Sequence, residues 1–388
     1  MRSPDGWRPR PFRQFILKVH SRCDLSCDYC YIYTMADQSW AERPRTMPRS
    51  TLRHVAFRIA EHVHAHGLAS IHLVLHGGEP LLAGVEGIED AVTTIRDAVG
   101  PRVRVAVSVQ TNAVRLDETF LRAFDRLGAR VGVSLDGDVT AHDRHRRHAD
   151  GRGSHAAVAA ALGPLAGEYR HLFGGILCTV DVRNDPLRTY EALLDFAPPA
   201  VDFLLPHGNW AAPPPGRSPG SAATPYADWL IPIFDRWYAP GARPTEVRLF
   251  ADIMHLLLGG ASAGEAVGLA PARMVVIETD GAIEQSDTLK SAYPGGPATG
   301  FHVARDPFDA VLGHPAVRAR QIGAQALGAE CLACPVMRVC GGGLYAHRYR
   351  PGAGFANPSV YCADLFRLIT HIRHRVESDV TARMESRR

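Results

Sequence analysis

Short apolar runs alternate with longer amphipathic stretches through the first half of this 388-residue chain. That alternation restricts the fold more than any other feature. The short runs are Gln14–His20, Ile71–His76, Val103–Gln110, Arg130–Leu135, Gly175–Asp181 and Val201–Pro206. They are rich in Val, Ile and Leu and are bounded by turn residues, so they read as strands. Between them lie helix-like stretches: Ser50–His66, Val85–Val99, Asp117–Leu127, Ser154–Tyr169 and Leu187–Phe196. Strands joined by helical crossovers pair in parallel, which predicts an α/β sheet of βα units. Six units are too few to close an eight-stranded barrel. The expectation is an open, partial (β/α)6 barrel with its chemistry at the C-terminal ends of the strands.

The pattern breaks at Trp210–Tyr226, a stretch rich in Pro, Gly, Ser and Ala that includes Pro213-Pro214-Pro215. It reads as a linker or a long loop. Helical stretches follow at Pro225–Tyr238 and Val247–Leu258. From Pro271 come short β-like pieces such as Met274–Glu278, then turns, and four of the eight cysteines. The expected division is 1–210 for the barrel, 211–270 for linker and bridging helices, and 271–388 for a C-terminal α+β domain.

A net charge of +3 gives no reason to expect nucleic acid as a partner. Lysine occurs only at Lys18 and Lys290. No run of about 18 apolar residues is present, so no membrane span is expected. Met1–Arg13 lacks the apolar region of a secretory signal. A cytoplasmic location is therefore expected, where cysteines serve as metal ligands or buried thiols rather than disulfides.

Cys23, Cys27 and Cys30 form C-x3-C-x2-C directly after the first strand. Three thiolates can hold three irons of a [4Fe–4S] cube and leave the fourth iron open to chelate an amine and a carboxylate. Zinc or free thiols are the alternatives, but structural zinc sites use four ligands. Near the C-terminus Cys331, Cys334 and Cys340 form C-x2-C-x5-C before Gly341-Gly342-Gly343, and Cys362 follows. Four thiolates can close a [4Fe–4S] cluster completely, or hold zinc.

The run Cys23-Asp-Leu-Ser-Cys27-Asp-Tyr-Cys30 resembles the signature of radical S-adenosylmethionine (SAM) enzymes. The resemblance implies that the open iron binds SAM, which is split to a 5′-deoxyadenosyl radical. It also implies an electron donor, either a reductase or a protein of ferredoxin or flavodoxin type. Tyr29 fills an aromatic position near the adenine by the same resemblance. Gly77-Gly78-Glu79 resembles the motif that receives the SAM amino group, with two glycines allowing close backbone approach and Glu79 accepting from an ammonium; a simple turn is the alternative. Gln110 and Asn112 end the third strand and Ser134 the fourth, where a ribose would need hydrogen bonds, or where ordinary turns would use the same residues. By resemblance Arg146 pairs with the SAM carboxylate, and Leu177 packs on the adenine. Cys178 reads as a buried thiol.

The C-terminal cysteines resemble the SPASM extension of peptide-modifying radical SAM enzymes. The full extension holds two auxiliary clusters. Ser286 and Leu344 stand where two ligands of the first would sit, so one auxiliary cluster, Cys331, Cys334, Cys340 and Cys362, is expected. Together with the SAM cluster this makes two [4Fe–4S] clusters.

Further runs, among them Leu205-Pro-His-Gly-Asn-Trp210 and Cys340-Gly-Gly-Gly-Leu-Tyr-Ala-His-Arg-Tyr-Arg350, are similar to FxsB-type radical SAM/SPASM maturases. That family implies a ribosomal precursor peptide as substrate and a three-residue cyclophane as product. Ring formation needs a base; Asp280, Glu278, Asp287 and His207 are the candidates, though acidic residues in turns are more often solvated. Other SPASM reactions are the rival reading: thioether formation, epimerisation or formylglycine formation. A non-catalytic iron–sulfur or zinc protein is a third. His62 and His66 share a helix face, which reads as a surface helix end rather than a metal site.

Overall fold

The computed structural model describes residues 7–385 apart from 219, 240, 242 and 263. The outer residues of the expected first and last domains, 1–6 and 386–388, lie outside it, and residues 1–6 are part of the stretch Met1–Arg13 expected to lack a secretory signal. Six parallel strands form the centre: β1 (Gln14–His20), β2 (Ser70–Gly77), β3 (Arg104–Thr111), β4 (Ala129–Ser134), β5 (Phe173–Thr179) and β6 (Ala200–Leu204). They pair in chain order, so each new strand adds beside the last. The short β7 (Glu246–Val247) extends the β6 edge. On the other edge β8 (Met274–Ile277) pairs in parallel with β1, then β9 (Ala282–Glu284) and β10 (Ala298–His302) add in antiparallel sense. The C-terminal segment thus continues the barrel sheet instead of starting a new one.

Alternation along each strand sorts the residues. In β2, Ile71, Leu73 and Leu75 are buried while His72, Val74 and His76 are half-buried. The buried set packs outward under the helices α1 (Arg49–Ala65), α2 (Gly84–Val99), α3 (Glu118–Leu127), α4 (Val139–His145), α5 (His155–Ala166) and α6 (Pro186–Leu194). The other face carries polar side chains that bond across strands. His72 reaches Ser108 at 2.8 Å and Gln110 reaches Ser134 at 3.1 Å.

Local chemistry starts and stops the helices. Asp117, Asp138 and Asp185 accept from the free N–H groups of α3, α4 and α6. Gly128 ends α3 in the left-handed conformation. The fifth helix stops at Ala166, short of the expected Tyr169, after Pro164. The fifth strand runs two residues earlier than its apolar pattern suggests, leaving Asp181 in the loop beyond it. The one-turn-plus helix α4, too short for a periodic signal, was not legible in the sequence.

Helices α7 (Pro225–Tyr238) and α8 (Arg248–Leu257) pack with the long C-terminal helix Cys362–Glu385. Asp364 of that helix accepts from the N–H groups of Tyr226 and Ala227, capping α7 from another element. The Pro-rich stretch is held as an ordered loop. Trp210 donates to the Pro358 carbonyl at 2.8 Å, and Tyr361 donates to that of Pro206 at 2.6 Å. Tyr226, Trp229 and Trp237 are core residues. Among the described residues no helix is long and apolar enough to cross a membrane.

Candidate active site

Cys23, Cys27 and Cys30 leave the end of β1 in a loop and line a cavity of about 170 Å³. Residues at or beyond the ends of β2 to β6 share that cavity, from Glu79 and Asn112 to Leu177 and Leu205. Six strands that reach one cavity must curve around it, which makes the sheet a partial barrel. Of the residues expected at the nucleotide's place, Tyr29, Gly78, Glu79, Gln110, Asn112, Ser134, Arg146 and Leu177 line this cavity, and Gly77 does not. Cys178, one residue on from Leu177, points the opposite way into the core.

Gly77 and Gly78 are required by packing. A Cβ at Gly77 would strike the His20 carbonyl, and one at Gly78 the Tyr33 hydroxyl. Their absence lets the β2 end lie against the cysteine loop, where Gly78 and Glu79 donate N–H groups to His20 and Arg22 at 2.9 and 3.0 Å.

Glu79 is buried. Its Oε1 accepts from Leu81 N–H and the Thr111 hydroxyl, and its Oε2 from Asn112 N–H at 2.8 Å. A carboxylate has acceptor capacity beyond these three donors. Burial pushes its pKa up to about 7 despite them. Asn112 in turn donates to Asp24 at 2.8 Å and approaches the Cys23 thiol at 3.6 Å.

Asp136 is the site's main anchor, and its role was not legible beyond the run Ser134–Gly137. Arg146 Nε donates to it at 2.8 Å, the Tyr29 hydroxyl donates to the same oxygen, and Thr179 N–H donates to the other at 2.9 Å. Burial opposes its charge, yet the Arg146 guanidinium holds the carboxyl below its usual range. The Arg146 guanidinium also lies 5.4 Å from the Tyr29 ring centroid. One buried carboxylate therefore fixes the two side chains that flank Cys27 and Cys30.

Burial pushes the Cys27 thiol up to about 11 and raises Cys23 and Cys30 as well, and each thiol opposes its neighbour's ionisation. Such a set becomes thiolate when a bound cation supplies positive charge. Three soft donors beside a polar cavity fit an iron–sulfur cluster with one open corner.

A second cavity, about 530 Å³, adjoins the first and shares Tyr29, Thr179, Pro206 and His207 with it. Ala211–Pro215 forms its outer wall, and Asp28, His145, Asp181 and Arg183 its charged rim. His145 bridges Asp28 and Asp181 at 2.7 and 3.1 Å.

The base candidates separate. His207 lines both cavities, and its Nδ1 is buried without a hydrogen-bond partner. Burial lowers its pKa to about 4, so it is neutral near pH 7. Asp287, Glu278 and Asp280 line neither cavity. Asp287 pairs with Lys18 at 2.7 Å, Glu278 with Lys290 at 3.2 Å, and Asp280 with Arg43. Both lysines of the chain are buried in this ion cluster, which includes Asp37 and Glu284. Ser286 sits directly beside it.

The second cysteine set also converges. The thiols of Cys331, Cys334, Cys340 and Cys362 act electrostatically on one another, and burial pushes Cys340 up to about 12. Gly341, Gly342 and Gly343 all adopt positive φ. A Cβ at Gly341 would strike the Gly268 carbonyl. Buried Arg348 donates to the carbonyls of all three glycines, a lock that nothing in its sequence context announced.

A family model described as Radical SAM superfamily matches residues 17–166. The chain is 24% identical to the cysteine-type anaerobic sulfatase-maturating enzyme of Clostridium novyi (strain NT), over 70% of this chain and 72% of that protein. Native anSMEcpe with bound AdoMet superposes with a TM-score of 0.80 at 21% identity, covering 95% of this chain and 99% of that one. Streptococcus suis SuiB bound to precursor peptide SuiA superposes with a TM-score of 0.56 at 12% identity, covering 91% and 76%. These superpositions show a shared fold.

Proposed function

We propose that this chain, a radical SAM enzyme related to the sulfatase-maturating enzymes, crosslinks a ribosomally made precursor peptide in the cytoplasm by joining a side-chain β-carbon to an aromatic ring. The observation that carries the reading is the second cavity. It opens directly off the thiol-lined one, is wide enough for a peptide segment, and has a wall built by the Pro-rich loop. SuiB, of the same fold, was captured with a precursor peptide.

Cys23, Cys27 and Cys30 would hold one [4Fe–4S] cluster, and Cys331, Cys334, Cys340 and Cys362 a second. With SAM and electrons from a reductase or a donor of ferredoxin or flavodoxin type, the first supplies a 5′-deoxyadenosyl radical, and the second an electron acceptor. Tyr29, Gln110, Asn112, Ser134 and Leu177 would line the nucleotide's place; Arg146, fixed by Asp136, would hold the SAM carboxylate, and Glu79 the ammonium. The peptide lies in the second cavity, where the loop 211–215 excludes water from it. The β-hydrogen leaves as an atom, the carbon radical adds to the ring, and the ring then gives up one proton and one electron. His207 accepts that proton, being neutral, unpartnered and in contact with both cavities. In this reading residues 1–210 are the barrel, 211–270 bridge, and 271–388 are a SPASM/twitch-like domain that shares the barrel's sheet.

The likeness to sulfatase-maturating enzymes favours a second reading, formylglycine formation on a sulfatase. Ser286 and Leu344 argue for the crosslink, because they leave one auxiliary cluster where the full extension has two. Co-expression with the precursor tests both. A crosslink removes two hydrogens from the peptide mass and suppresses fragment ions between the joined residues. An aldehyde that reacts with hydrazine would select formylglycine, and an unchanged mass would sink both.

A further inference from the structure

His62 stands in the last turn of α1 and His66 caps its end, on the outer side of the barrel and away from both thiol sets. Only one of the two is at the surface. The His62 side chain is 1% exposed, packed beside the rings of Phe12, Phe15 and Phe308. The His66 side chain is 28% exposed. Asp309, in the short helix Phe308–Leu312, reaches between them from the far end of the chain. Its Oδ1 stands 2.7 Å from His62 Nδ1 and 2.9 Å from His66 Nε2. The intervening His64 turns away to the Val99 carbonyl.

Protons alone satisfy this arrangement poorly. If Nδ1 of neutral His62 carries the proton, its Nε2 is left as a bare lone pair, buried with no hydrogen-bond partner. If Nε2 carries the proton, Nδ1 and the Asp309 oxygen become two acceptors facing each other. A divalent cation between Nδ1, the His66 nitrogen and the carboxylate removes the clash of acceptors and leaves the His62 proton on Nε2, towards the Phe12 backbone. All three ligand atoms already lie within 4.8 Å of one another. Zinc bonds of about 2.0–2.1 Å would set tetrahedral donors roughly 3.3 Å apart, so opening by about half an ångström suffices.

We propose that His62, His66 and Asp309 bind a zinc ion, open to solvent at its fourth position, that clamps the end of α1 to the C-terminal segment. Two imidazoles and one carboxylate suit zinc, with solvent as the fourth ligand. Asp309, 47% exposed, leaves an entry path. The clamp adds to a contact already present, since Arg58 of α1 donates to the Val303 carbonyl at 3.0 Å. Neither the nucleotide cavity nor the thiol sets take part, so the proposal stands apart from the crosslinking reading.

The test uses the whole protein with its clusters reconstituted under anaerobic conditions, stripped with a mild chelator and dialysed against zinc alone. His66→Ala and Asp309→Asn are the variants, because both side chains reach solvent and the fold can be checked by iron content. Cys334→Ala serves as the control for zinc taken by the second thiol set. The expected result is one zinc per chain in the parent and in Cys334→Ala, none in the two site variants, and a zinc-dependent rise in melting temperature that only those two lose. Equal zinc uptake and equal melting behaviour in parent, His66→Ala and Asp309→Asn would overturn the proposal. So would zinc lost only in Cys334→Ala.

Discussion

Cys23, Cys27 and Cys30 stand beside a cavity whose polar side chains come from five neighbouring strands, whereas Cys331, Cys334, Cys340 and Cys362 stand by the carbonyls of a glycine turn held by a buried arginine. In both sets burial raises thiols, Cys27 to about 11 in the first and Cys340 to about 12 in the second. What differs is what else can reach the metal. At the first set, Asp136 tethers Arg146 and Tyr29 over the loop, and three ligands leave a corner open. At the second, the tight Gly341–Gly343 turn and Arg348 close the loop on itself, and a fourth thiol arrives on the C-terminal helix. The count of thiolates decides whether a small molecule can bind, and the neighbouring side chains decide which one.

The comparison breaks most sharply at the thiols. Cys27→Ala should reduce 5′-deoxyadenosine formation to background, measured by chromatography after dithionite and SAM, while iron falls from roughly eight to roughly four per chain. Retained SAM cleavage in that variant would refute the assignment of the open site. Cys334→Ala should lose similar iron yet still cleave SAM, with crosslinked peptide absent by mass spectrometry. If SAM cleavage vanishes as well, the two sets do not divide the work as described.

Asp136→Asn sharpens the comparison at lower cost. It keeps an acceptor but leaves the buried Arg146 without a countercharge, a loss of about 3–5 kcal/mol when one partner of a buried pair is removed. A lower melting temperature and weaker SAM binding by calorimetry are expected. An unchanged SAM affinity would show that Arg146 needs no anchor.

The smallest effect comes from pH. Burial lowers His76, His142 and His207 each to about 4, while in the unfolded chain they take protons near 6.5. Between those values the unfolded state binds more protons, so stability is full above about pH 6.5 and declines as the pH falls towards 4. Glu79 and Glu284, raised to about 7, and Asp202, raised to about 6, act in the opposite sense, while His20, His62, His72, His314 and His347, all lowered by burial, add to the imidazole side. Thermal melting should therefore drop between pH 7 and pH 5, and a flat profile would show that the imidazoles are hydrated.

Much of this was legible early. The six strands follow from apolar alternation, which is local, and the thiol sets follow from spacing that only metal chemistry explains. The edge strands β9 and β10 were not legible, being too short to carry a period. Asp136 looked like one polar residue in a turn, because its weight comes from Arg146 ten residues on and Thr179 on another strand. Asp280, Glu278 and Asp287 looked equivalent to His207 until their cations came into view.

By itself, then, the chain determined an open parallel barrel, two thiol sets and the residues at the strand ends, since each rests on contacts between near neighbours or on a repeating pattern. Only the tertiary structure decided that His207 is free while three carboxylates are paired, that a Pro-rich loop walls a second cavity, and that Asp309 meets two histidines at the end of α1. Those outcomes depend on side chains separated by as many as 269 positions, as between Lys18 and Asp287. Long-range burial and charge pairing leave no local trace for a sequence to show.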